Sequence, residues 1–173
     1  MATLTTPRLL LRERRPQDIR AYLEMDSDPE VMRYVGDGTV PDPVAHAVGL
    51  QQRIAAGNGN GLWVWSVFER DRPTEFLGCA FLSPEPMLNR TELAYRFKRS
   101  AWGRGIATEA GRACLDFGFG ECGLLEIVAL AYPVNIASRR VLTKLGFKQT
   151  GYHEAYGQNL LLLRITVEEH RLL

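Results

Sequence analysis

The stretch from Glu92 to Glu109 constrains this chain more than any other. Leu93, Tyr95 and Phe97 alternate with Glu92, Ala94 and Arg96, which is the two-residue period of a strand. Gly103 and Gly105 then break the chain, and Ile106, Ala110, Ala113, Cys114 and Phe117 follow along one helical stripe. A strand that passes through a short glycine loop directly into a helix leaves the first helical N–H groups without acceptors. They converge on one point, together with the positive end of the helix dipole. Such a point attracts anions, and glycine lets a phosphate come close to the backbone. Arg96, Lys98, Arg99 and Arg104 crowd the same segment, with no acidic residue among them. The segment is not a P-loop, because the Lys-Ser/Thr pair that serves phosphate and magnesium is missing. Nor is it a dinucleotide fingerprint, since the third glycine and the acid at the end of the next strand are absent.

The rest of the chain reads as one mixed α/β domain over residues 1–173. A length of 173 residues with 46% hydrophobic content suffices for a core that needs neither disulfide nor structural metal. Strands are predicted at 9–11, 62–68, 76–82, 91–97, 126–132, 147–152 and 160–167. Helices are predicted from Pro16, over 43–56, from Ile106, and over 135–145, the last stopped by Gly146. The second helix is predicted to bury Val44, Ala47, Val48 and Ile54. The Gly57–Gly61 stretch reads as a plain turn rather than a phosphate loop, since it leads into a strand. Cys79, Cys114 and Cys122 form no C-x-x-C pair and read as free thiols in a reducing, cytoplasmic setting. His46, His153 and His170 lie too far apart for a metal site. No apolar run approaches the roughly 20 residues of a membrane span. A net charge of +1 and the lack of any nucleic-acid motif argue against a nucleic-acid partner.

Asn135 through Phe147, with Ser138 and Gly146, follows the strand that ends at Tyr132 and Pro133. Together with the Glu92–Glu109 stretch, it resembles the GNAT superfamily of N-acetyltransferases. Within that superfamily it is most similar to the Rim-type branch of ribosomal-protein N-terminal acetyltransferases. The opening Thr6–Arg12, leading to Asp18, and the strand Glu92–Tyr95 fit the same branch, so the resemblance spans about Thr6 to His170. It implies a mixed, mostly antiparallel sheet of about six to seven strands flanked by about four helices. Two central strands, here 91–97 and 126–132, would splay apart. It also implies acetyl-coenzyme A as donor, with no metal. The N–H groups around Gly103, Arg104, Gly105, Ile106, Ala107 and Thr108 would hold the pyrophosphate. Backbone groups of Tyr95, Arg96 and Phe97 would pair with the pantetheine arm like an added strand, and Asn135 and Ser138 would bind the arm from the neighbouring helix. An N–H near Tyr95 would polarise the thioester carbonyl.

Two positions depart from the superfamily pattern. Trp102 stands where the loop often opens with Gln or Arg, and Leu142 stands where many members carry a tyrosine that protonates the leaving thiolate. Ser138, a water or the product amine then has to supply that proton, with Ser138 the first candidate. Glu92 is the candidate base that takes the amine's proton, directly or through water. The alternative role for it is substrate positioning alone. Glu109, in the first turn of the helix, is read as a dipole partner, His153 as a surface or satisfied histidine, Trp63, Trp65 and Phe68 as core, and Cys114 as an inert buried thiol.

The acceptor is expected to be a primary amine: a protein N-terminal α-amine, or a small molecule such as a polyamine, an aminoglycoside-like compound or an amino acid. A non-catalytic acyl-coenzyme A sensor is the rival from a different class. Between Glu24 and Asp42, six acidic residues face Arg33 alone, a local charge of −5. The near-zero total therefore averages a basic pole at residues 96–104 with an acidic one, and the acidic pole would draw a cationic amine. A homodimer is possible in the family, but no residue here specifies one.

Overall fold

The computed structural model describes residues 2–57 and 62–173. The predicted turn at 57–61 thus lies, beyond Gly57, outside the described residues. Eight strands form one sheet: β1 (Leu4–Thr5), β2 (Leu9–Glu13), β3 (Trp63–Glu69), β4 (Arg72–Glu85), β5 (Arg90–Phe97), β6 (Glu126–Ala131), β7 (Lys148–Ala155) and β8 (Gln158–Thr166). Their order is β1-β2-β3-β4-β5-β6-β8-β7. The helices are α1 (Ile19–Asp26), α2 (Pro29–Met32), α3 (Pro43–Ala56), α4 (Ile106–Gly120), α5 (Ile136–Lys144) and α6 (Val167–His170). The seven predicted strands and four predicted helices are all present. The two-residue β1 and the single-turn α2 and α6 are additional, being too short to show a period in sequence.

Local chemistry accounts for the boundaries. Pro43 opens α3 where a missing N–H costs nothing, and Asp42 caps it by accepting from the Ala45 N–H at 2.8 Å. Asp28 does the same for α2, accepting from Glu30. Gly146, at φ 88°, supplies the left-handed residue that ends α5. One predicted face is wrong. Val44 and Val48 are exposed, and Leu50 is the fully buried residue of α3. A helix packed along a narrow line needs only that one anchor, and the periodicity of valines and alanines does not tell which side meets the sheet.

Every adjacent strand pair is antiparallel except β5 and β6. That parallel pair meets at a single position, Glu92 opposite Val128. Beyond Glu92 the two strands diverge, and β5 from Leu93 to Phe97 keeps only its pairing with β4. The two faces of the sheet are separately cored. Leu93 and Phe97 pack with Ile106, Cys114 and Phe117 of α4 and with Leu142 of α5. On the other side Tyr22 and Met25 of α1, Leu50 of α3, Phe76 and Cys79 form a second cluster.

Candidate active site

Three groups of residues converge where β5 and β6 part. At the N-terminal end of α4, Gly103 (φ 71°) and Gly105 (φ 77°) adopt the left-handed conformation, which residues with a Cβ rarely enter. Glu109 is the first residue of α4 whose N–H bonds back, to Gly105 O at 3.1 Å, so the amides of Ile106, Ala107 and Thr108 precede the helical ladder. Arg8 Nη1 donates to Arg104 O at 2.9 Å and fixes the loop from the side. Glu109 does more than face the helix dipole. It accepts from Thr6 Oγ1, from the Arg8 N–H and from the Arg8 guanidinium, at 2.6, 3.0 and 2.6 Å. Partial burial raises its pKa, but these hydrogen bonds reverse the effect and hold it below the usual carboxylate value.

Across the opening, Asn135 caps α5 by accepting from the Ser138 N–H at 3.1 Å. Its side-chain oxygen is thereby committed to the helix, and only the amide NH2 remains for a ligand. Ser138 Oγ lies 3.1 Å from the Tyr95 hydroxyl. Sequence reasoning assigned Tyr95 only through its backbone; the phenol in the opening was missed because it depends on a contact 43 residues away. Burial pushes its pKa up to about 12, against a smaller lowering by the Ser138 hydrogen bond, so it stays protonated at neutral pH. Leu142 is 1% exposed and takes no part.

Glu92 sits on the opposite face of β5, at the last point of contact with β6. Burial pushes its pKa up to about 7, helped by repulsion from Glu85 and opposed by a hydrogen bond from the Leu130 backbone. Around it, His153 Nε2 approaches Glu85 Oε1 at 3.9 Å and has no hydrogen-bond partner. With a side chain only 12% exposed, it is neither the surface nor the satisfied histidine expected. The pKa of Tyr156 is raised by burial and then by Glu92 and Glu85, which places its phenol in the same acidic field. Tyr132, just past β6, donates to Gly36 O at 2.7 Å and ties the loop after α2 over this side. A cavity of about 370 Å³, lined by Pro84, Glu85, Arg90, Thr91, Leu125 and Glu126 among others, lies at the closed end of the β5–β6 pair, away from the splayed end.

The charge poles read from the sequence do not exist as such. Arg96 forms a two-pronged pair with Asp26, both bonds 2.8 Å, Lys98 reaches Glu24 at 3.0 Å and Arg99 reaches Asp28 at 2.7 Å. Arg104 pairs with Glu69. The acidic segment at the end of α1 neutralises the basic segment after β5, because the fold lays one on the other. Among the described residues, the positive features left without a carboxylate partner at the loop are the first-turn amides and the helix dipole.

The expectations for the tryptophans, Phe68 and Cys114 hold. Trp65 and Phe68 are core, and Trp63 packs against it. Cys114 is fully buried, which pushes its thiol pKa far up and leaves it inert. Among the described residues, no helix is long and apolar enough to cross a membrane, and no group of three or more His, Cys, Asp or Glu is arranged to hold a metal.

Known proteins show the same pattern. Residues 8–148 match the model of the acetyltransferase (GNAT) domain. The Bacillus subtilis protein YkkB is 38% identical over 146 residues, covering 83% of each chain. The GNAT-family acetyltransferase of Bacillus anthracis superposes with a TM-score of 0.82 at 24% identity, over 96% of this chain and 99% of its own. Mycobacterium smegmatis RimJ, solved in complex with CoA-disulfide, superposes at 0.77 with 26% identity, over 93% of this chain and 83% of its own. The chain therefore belongs to the GNAT acetyltransferase family and is an acetyl-coenzyme A-dependent N-acetyltransferase.

Proposed function

We propose that this chain moves an acetyl group directly to a primary amine of α-amine basicity, as in Rim-type enzymes, with Glu92 as base and Tyr95 as acid. The observation that carries the reading is Glu92, a half-buried carboxyl with a pKa of about 7, at the point where β5 and β6 separate. A base near neutrality is matched to an α-amine of pKa about 7.7–8.0, which is already partly neutral. A lysine-type amine, near 10.4, would need a stronger one. The similarity to RimJ supports the same branch.

The open edge of β5 and the first-turn amides of α4 fit a long, anionic thioester. Acetyl-coenzyme A supplies the activated acyl group. Backbone groups of Tyr95, Arg96 and Phe97, free of β6, extend the sheet to the pantetheine arm. The amides from Gly103 to Thr108 meet its pyrophosphate. The Asn135 NH2 and the Ser138 hydroxyl reach the arm from α5. Glu92 takes the proton of the incoming amine. The Tyr95 phenol, held by Ser138, gives a proton to the departing thiolate, a role for which Ser138 was the first of the sequence candidates, ahead of a water and the product amine. Direct attack asks mainly for alignment.

Mass spectrometry of an amine library, containing N-terminal peptides, amino acids and polyamines, incubated with acetyl-coenzyme A tests the reading. An acetylated α-amine with matching release of free coenzyme A thiol is expected. Acetylation of polyamines or lysine-type amines in preference to every α-amine contradicts it.

A further inference from the structure

The α1 side of the sheet carries two guanidinia, the half-buried Arg14 and the exposed Arg53, that the transfer step does not use. Arg12, Ser66, Cys79 and Arg96 form one register row across β2, β3, β4 and β5. The next row on the same face contains Val64, Phe81 and Ala94, and the one after it Ser83 and Glu92. Arg14, two residues past Arg12, continues the face from β2 towards the Glu92 end. Its guanidinium lies 5.8 Å from the ring of Tyr22, and that of Arg96 lies 5.9 Å from the same ring. Arg53, on α3, folds back over Gly49, where a Cβ would sit 3.3 Å from Arg53 Nη1.

Arg53 lies in the electrostatic field of Arg14, Arg96 and Asp26, and the Asp26 carboxylate is already saturated. Arg96 takes both of its oxygens, and His46 Nε2 lies 2.7 Å from Oδ2. Asp18, the other buried acid nearby, is occupied by Arg12, Ser66 and the Arg15 N–H. Among the described residues Arg14 and Arg53 have no ion-pair partner, and Arg14 Nε is buried with no acceptor at all. Partial burial, followed by repulsion from Arg14 and Arg96, holds the pKa of Arg53 below its ordinary value. A buried donor without an acceptor costs stability unless a ligand or water completes it.

We infer that Arg14 and Arg53 bind an anionic group on the acceptor, so that the substrate is a primary amine carrying a carboxylate or similar anion several bonds away. This rests on the transferase reading for the position of the amine. The spacing follows from the register. The Ala94 row lies about 7 Å along the strands from Glu92, and Arg14 follows β2, three strands across the sheet from β5. An α-amino acid is too short to span that interval, whereas a short peptide is not. The anion has two sources, a C-terminal carboxylate on a short free peptide or an acidic side chain close behind a protein N-terminus.

Binding to the coenzyme A-saturated protein, measured by calorimetry, distinguishes them. The probes are triglycine against triglycine amide, and Gly-Glu-Gly amide against Gly-Gln-Gly amide. At least one anionic member should bind about tenfold or more tightly than its neutral partner. Arg53→Met, an exposed and foldable change, should bring that ratio near one without altering coenzyme A affinity, and Arg14→Lys should retain part of it. Preference for triglycine points to a free peptide, and preference for the Glu peptide to an acidic N-terminus. Equal or absent binding within both pairs overturns the proposal, as does an Arg53→Met protein that keeps the preference. Acetyl transfer is scored separately, as thiol release with the same peptides. Binding of the anionic member without release leaves the anion site standing and removes the transferase roles of Glu92 and Tyr95.

Discussion

Glu92 is held in a state that lowers stability at neutral pH. Its folded-state pKa is raised from the ordinary 4.5 to about 7, chiefly by burial. The folded protein then holds more protons than the unfolded one between those values, so stability falls as the pH rises through that window. Glu92→Gln removes the cost. Above pH 7 it should raise stability to urea by up to about 3 kcal/mol, with no gain near pH 4, while acetyl transfer drops. Urea titrations at the two pH values check this. The acidic partner Glu85, across the hairpin, was not legible as relevant, because its effect depends on the β4–β5 register. The Tyr95–Ser138 contact was hidden for a similar reason, since neither residue is unusual in its own segment. What the residues did show was Glu92 itself, a lone acid on the alternating face of a strand that ends in a glycine loop.

At the scale of elements, the strand–loop–helix unit was readable because its chemistry is local. Glycine conformation, helix capping and periodicity all lie within a few residues of one another. Gly105 at φ 77° caps α4, and a Cβ there would sit 3.5 Å from the Arg8 guanidinium, so space is not limiting and backbone conformation is. Gly105→Ala should cost about 1–2 kcal/mol and raise the KM for acetyl-coenzyme A much more than it lowers kcat, a split that steady-state kinetics reads directly. Asn135→Ala removes the cap of α5 and should cost about 1 kcal/mol in thermal unfolding. The buried side of α3 was not readable. Several apolar residues sit around that helix, and only the docked position of Leu50 shows which one counts.

For the whole molecule, charge is organised by pairing between distant segments rather than by poles. Three pairs fasten the end of α1 to β5 and the loop after it, and they differ in depth. Asp26 is 1% exposed and its Arg96 partner 18%, whereas Glu24, the partner of Lys98, is 69% exposed. Asp26→Ala strands a buried guanidinium and should cost about 3–5 kcal/mol, while Glu24→Ala should cost less than about 1 kcal/mol. Matched unfolding curves of the two variants test that ordering. A count of charges along the chain could not foresee this, because the residues at 24–28 and 96–99 meet only after the sheet has formed. The fold class was visible beforehand, since the strand–loop–helix unit is a contiguous motif, whereas the parting of β5 and β6 was expected only from the family resemblance. The most direct test of the catalytic account is the pH dependence of kcat/KM for the amine in the wild type and in Glu85→Gln. The account predicts an acidic limb near pH 7 that moves to lower pH when the Glu85 charge is removed. A limb that stays in place in Glu85→Gln, or that survives with full rate in Glu92→Gln, would contradict it.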